Sequence, residues 1–191
     1  MGRDILIATR MALAMLLSAA TLAAKPEPPP EPPAKQAAAL AQEFVSLLRP
    51  RLKQAMAEGG PAGAIAVCAD VAPAIADSLS ARSGWNVKRV SLKSRNASRA
   101  VPDDWERAVL LEFDRRQFAG EDAASISFGE VVAGQYRFMK AQGVEPLCLV
   151  CHGKGLADDV EQTLRQYYPD DWATGYSLGQ VRGAISLSKP L

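Results

Sequence analysis

Cys148-Leu149-Val150-Cys151-His152 is the stretch of this chain whose spacing carries chemistry. Two thiols three positions apart lie on one local turn, and an imidazole follows the second directly. Thioethers from Cys148 and Cys151 would fix a porphyrin edge to that turn and carry His152 under the iron, the pattern of covalent haem c attachment. Two other chemistries use the same residue types. Cys68, Cys148, Cys151 and His152 add up to a three-cysteine, one-histidine zinc set, but the adjacent Cys151 and His152 reach one tetrahedral ion awkwardly. A Cys148–Cys151 redox pair calls for a βαβ pattern that residues 140–165 lack.

His152 is the only histidine, so a second imidazole is excluded as the opposite axial ligand. The residues leave open Cys68, Met56, Met139, a lysine, water or a vacant position. Cysteine and methionine also serve as plain core fillers. The choice has consequences, because a thiolate stabilises ferric iron and lowers the potential whereas a thioether raises it.

Composition and periodicity give the frame around these groups. Arg3 and Arg10 precede an apolar run, Met11 to Leu22, and small residues come after it. This predicts a signal peptide over residues 1–24 and a periplasmic location for a bacterial protein, with membrane attachment only if the leader is uncleaved. Residues 25–35, KPEPPPEPPAK, predict an extended linker. The folded domain is expected over residues 36–191. Outside the leader the side-chain charges balance, which removes the electrostatic case for nucleic acid.

Leu40, Phe44 and Leu48 predict a helix from Gln36 to Glu58, kinked at Pro50 and ended by Gly59-Gly60-Pro61. Ile65, Cys68, Ala72, Ile75 and Leu79 form one apolar stripe on a second helix, Ala62 to Arg82, which aims Cys68 at the core. Pro73 removes the hydrogen bond to the Ala69 carbonyl and predicts a bend near Cys68. A strand is expected over Trp85–Ser94. A helix should be capped by Asp103 with Glu106. An extended region, Ile126–Met139, carries Gly134 as a bulge. A short helix over Asp158–Tyr168 and a strand over Val181–Leu187 complete the order. The fold class is α+β, a small antiparallel sheet with helices on one side.

Four separated blocks, GAIAVCADVAPAIADSLS (63–80), SLKSRNASRAVPDDWE (91–106), CLVCHG (148–153) and YPDDWATGYSLGQVRGAISL (168–187), resemble a family of exported single-haem c-type proteins. That family was long catalogued as a domain of unknown function and also occurs as a sensory part of bacterial signalling proteins. The resemblance spans nearly all of residues 36–191 and implies a PAS-like fold. It also implies His152 and Cys68 as the two axial ligands. Ala97 stands where the family often has a proline, a departure in a loop rather than at a ligand.

From these readings the chain is expected to be a redox or small-gas sensor domain with one covalent haem c. A diatomic gas is the expected ligand and a separate redox or signalling protein the expected partner. No enzymatic activity is expected, since a peroxidase needs an open distal face with polar groups over it. The alternative is a low-potential periplasmic electron carrier. Within the basic stretch 88–99 a solvated strand face is the ordinary expectation. Arg95 and Arg182 are nevertheless the candidate partners of the haem propionates.

Overall fold

A computed structural model describes residues 31–191. The leader, its cleavage site and most of the linker, residues 1–30, lie outside the described residues. Helix α1 (Pro33–Ala66) starts inside the expected linker, with Pro33 at the first helical position, where its missing N–H has no helical partner to lose. Pro50 sits inside α1 with backbone angles that remain helical. The break falls instead at Gly60 (φ 60°, ψ −156°), inside the Gly59-Gly60-Pro61 stop signal.

Beyond Gly60 the chain turns back on itself. A Cβ on Gly63 would stand 3.0 Å from the Ala55 carbonyl oxygen. The returning arm widens into a π-helical turn, Val67–Val71, in which the Ala72 N–H donates to the Val67 carbonyl, and then continues as α2 (Ala72–Ser83). The two arms run side by side as a hairpin. Glu43 accepts from Arg82 at 2.6 Å, and the Gln36 side chain meets the Trp85 indole. A π turn inserts one extra residue and so rotates the residues beyond it by about 100°. The single stripe read from the sequence is split accordingly. Ile65 packs with Val160, Leu164 and Tyr168, whereas Ala72, Ile75 and Leu79 pack on the sheet. Cys68 lies between the two groups, half-buried, rather than in the core.

The remaining elements are β1 (Asn86–Val90), α3 (Asp104–Phe118), β2 (Ser127–Val132), β3 (Gln135–Gly143), a 3₁₀ turn at Pro146–Cys148, α4 (Leu149–His152), α5 (Asp158–Tyr167) and β4 (Val181–Pro190). The four strands form one antiparallel sheet in the order β1-β4-β3-β2. Asp103 and Glu106 make the expected capping box on α3. Glu106 is also fully buried, where Lys88 at 2.9 Å and Ser186 at 2.6 Å satisfy its carboxylate.

Two expectations are corrected. Ile126–Met139 is not one bulged strand. It is a hairpin whose two-residue turn, Ala133 (φ 49°) and Gly134 (φ 76°), has the positive φ pair that matches strand twist. The helices do not share one side of the sheet. The α1–α2 hairpin covers Val87, Phe138, Ile185 and Leu187, while α3 covers the other face through Val109, Leu110 and Phe113 against Met139 and Ala184. Both faces of β4 are therefore buried from Gly183 to Leu187. A register irregularity at Gln142/Gly143 places Val181 with the α3 side instead of with Ile185 and Leu187.

Candidate functional site

The CxxCH turn is local structure. Pro146–Cys148 forms a 3₁₀ turn that runs directly into the single turn of α4, so Cys148 and Cys151 are one helical turn apart and His152 is its last residue. Gly153 is required by close approach, because a Cβ there would lie 2.5 Å from the Leu149 carbonyl oxygen.

The segment 171–176 straps this turn down. The Tyr176 N–H donates to the His152 carbonyl at 2.9 Å, and the Gly175 N–H to the Gly153 carbonyl at 2.8 Å. Arg95 lies beneath, 7% exposed. Its guanidinium pairs with Asp171 at 3.0 Å and donates to the Cys151 and Ala173 carbonyls. Tyr168 stacks under the same guanidinium, 6.0 Å from ring centroid to cation.

His152 is buried, and its ring is oriented through both nitrogens. Nδ1 lies 2.6 Å from the Ala173 carbonyl oxygen, which can only accept, so Nδ1 carries the proton and Nε2 presents its lone pair. Arg182 Nε donates to Nε2 at 2.9 Å. Burial, and after it the charges of Arg182 and Arg95, hold the His152 pKa well below its ordinary value, so the ring is neutral and able to act as a ligand. Burial likewise pushes the Cys151 thiol up.

Two adjoining hollows meet at these groups, and Cys68, Arg95, His152 and Tyr168 line both. The smaller, of about 390 Å³, carries Cys148 and Cys151 with Leu52, Met56 and Ile65 from the hairpin. The larger, of about 690 Å³ including its open mouth, is floored by Ala72, Pro73 and Ala76 and edged by Arg89 and Arg182. The structure thus brings together Cys68, Cys148, Cys151, His152, Arg95 and Arg182, although 84 positions separate Cys68 from His152.

The donor set fits a haem. It offers one imidazole with its lone pair presented, one thiol on the hairpin side, two further thiols at one end and arginines at the other. Of the remaining ligand candidates, Met139 is fully buried in the core beneath α3, away from the cleft, whereas Met56 lines it. Among the described residues no three His, Cys, Asp or Glu side chains converge to hold a lone metal ion, which leaves the zinc alternative without a geometry. The basic stretch is not the solvated face expected. Lys88 and Arg89 are half-buried, and Arg95 is buried. Sequence reasoning missed Asp171, the Ala173 carbonyl and Tyr168, and it preferred Arg95 over Arg89 within the basic stretch. The one local signal was the density of charged and aromatic residues in the block 168–176.

An antiparallel sheet clasped between helices, with a cleft that sets an imidazole and a cysteine beside a CxxC turn, frames a cofactor-holding α+β domain. The chain belongs to the Tll0287-like family, whose model matches residues 9–190. Its structure is similar to the crystal structure of the cyanobacterial heme-protein Tll0287, with a TM-score of 0.60 and 26% sequence identity over 82% of this chain and 91% of that one. No curated protein matches the sequence.

Proposed function

We propose that this chain is an exported, periplasmic protein carrying one haem c on a PAS-like domain, and that it reports redox state or a diatomic gas to a separate redox or signalling protein without catalysis of its own. The observation that carries the reading is the shared cleft, lined by Cys68, His152, Cys148 and Cys151 together. The family's heme-protein member supports the haem. In this reading Cys148 and Cys151 hold the porphyrin edge and His152 supplies Nε2 to the iron. Ala173 keeps the His152 proton on Nδ1, and Cys68 supplies the second axial sulfur. Bound there, haem supplies a one-electron ferric/ferrous couple and, where an axial position opens, a site for CO or NO.

The half-buried π turn that bears Cys68, beside Pro73, supports a ligand that can be released on reduction. The test is an optical spectrum of the haem-loaded protein, ferric and dithionite-reduced, beside Cys68→Ala. Ferric thiolate bands that vanish in the variant, together with CO uptake by the ferrous wild type and a negative midpoint potential, are the expected result. An unchanged ferric spectrum, or a clearly positive midpoint, removes Cys68 as a ligand. A ferrous form that keeps both ligands and refuses CO makes the protein an electron carrier instead.

A further inference from the structure

The structure assigns Arg89 and Arg182 as a carboxylate-binding pair that receives the haem propionates, an inference that rests on the haem reading above. Four arginines edge the larger hollow, and two of them already have carboxylate partners. Arg95 pairs with Asp171, and Arg99 pairs with Asp77. Arg89 and Arg182 have none among the described residues. The Arg89 Nε donates to the Gln142 side chain at 3.2 Å, and the Arg182 Nε to His152 Nε2 at 2.9 Å.

The second of these bonds cannot survive metal ligation. Nε2 has one lone pair, and the Nδ1–Ala173 bond makes it the nitrogen left for a metal. An iron taking that lone pair displaces the Arg182 N–H. The guanidinium is then left in the same hollow as Arg89 with its charge unpartnered. Arginine keeps its proton in proteins, so a half-buried guanidinium without an acid favours an anion in the same hollow.

The porphyrin supplies what is missing. Its propionates lie on the edge away from the thioether carbons. With Cys148 and Cys151 in the smaller hollow, that edge enters the larger one. Two carboxylates meet two guanidiniums, a pairing that arginine makes in bidentate form. With Nε2 given to iron, Arg182 would be free to pair a propionate. Arg95 also has its Nη1 3.5 Å from His152 Nε2, but its guanidinium stays tied to Asp171 and two carbonyls and braces the CxxCH turn instead.

The experiment compares the haem-loaded wild type with Arg89→Gln, Arg182→Gln, Arg182→Lys, Arg95→Gln and Arg99→Gln. The readouts are the propionate bending band in resonance Raman and the midpoint potential. Removing positive charge beside the propionates favours ferric iron. Each of Arg89→Gln and Arg182→Gln is therefore expected to move the band and shift the ferric/ferrous ratio about tenfold toward ferric, about 59 mV downward for one electron. Arg182→Lys keeps the charge and stays nearer the wild-type potential, and Arg99→Gln matches the wild type in both readouts. Should Arg182→Gln fail to load haem, Arg89→Gln alone decides. A wild-type band and potential in the Gln variants at 89 and 182, or a band shift confined to Arg95→Gln, overturns the assignment while the haem reading stands. A wild-type chain that takes up no haem at all removes the haem reading, and the assignment with it.

Discussion

His152 and Cys68 reach the same cleft from segments held in different ways. His152 ends a turn that is tied through its ring, its own carbonyl, the Gly153 carbonyl and the Cys151 carbonyl to residues 173–176 and to the buried Arg95–Asp171 pair. Cys68 rides on a π turn in which no residue is fully buried, followed by a proline that cannot donate to the Ala69 carbonyl. One side is fixed by charge-assisted bonds in a dry setting, where such bonds are strong. The other has no fully buried residue to anchor it and lacks the hydrogen bond that Pro73 cannot donate. An imidazole on a braced strap and a sulfur on a compliant turn suit a site with one permanent and one releasable ligand.

Three changes probe that contrast, in decreasing order of size. Asp171→Asn leaves Arg95 buried without a counter-charge and should cost about 3–5 kcal/mol in urea unfolding, because breaking one half of a buried pair strands the other. A loss within experimental error would mean that the strap is not braced by this pair. Tyr168 stands where the two sides meet, and its hydroxyl pKa is pushed up to about 12 by burial first and then by Cys68. Between pH 10 and pH 12 the unfolded chain releases this proton while the folded one keeps it, so stability falls as pH rises through that window. The drop amounts to at most about 2.7 kcal/mol, and Tyr168→Phe should remove it from the alkaline stability profile. An identical profile in the variant would place the hydroxyl in a wetter setting. Pro73→Ala should change stability by only about 0.4–1 kcal/mol, yet alter the Cys68-dependent absorption of the haem-loaded protein, since a restored N–H lets the π turn relax toward α-helix. Unchanged absorption would show that the turn is held by its neighbours rather than by the proline.

Much of the local structure was legible in the sequence. The Gly59-Gly60-Pro61 stop, the Asp103–Glu106 capping box and the compact CxxCH turn all rest on contacts between residues a few positions apart. The misreadings share a cause. The apolar stripe through Cys68 assumed an unbroken 3.6-residue period, and one inserted residue moved the thiol from the core to the cleft wall. Gly134 was read as a bulge because a two-residue turn and a bulge leave similar marks in a short apolar run.

The break at Gly60, the cap of α3, the CxxCH turn and the single histidine were settled by the order of residues alone, because each depends on bonds within one turn or on composition. Three-dimensional packing was needed to bring Cys68 into one cleft with His152, to bind Arg95 to Asp171 while leaving Arg89 and Arg182 without an acid, and to cover both faces of the sheet with helices. Hydrophobic periodicity records which face of an element is buried but not what it is buried against. A charge's partner is set by distance in space and local dielectric rather than by separation along the chain.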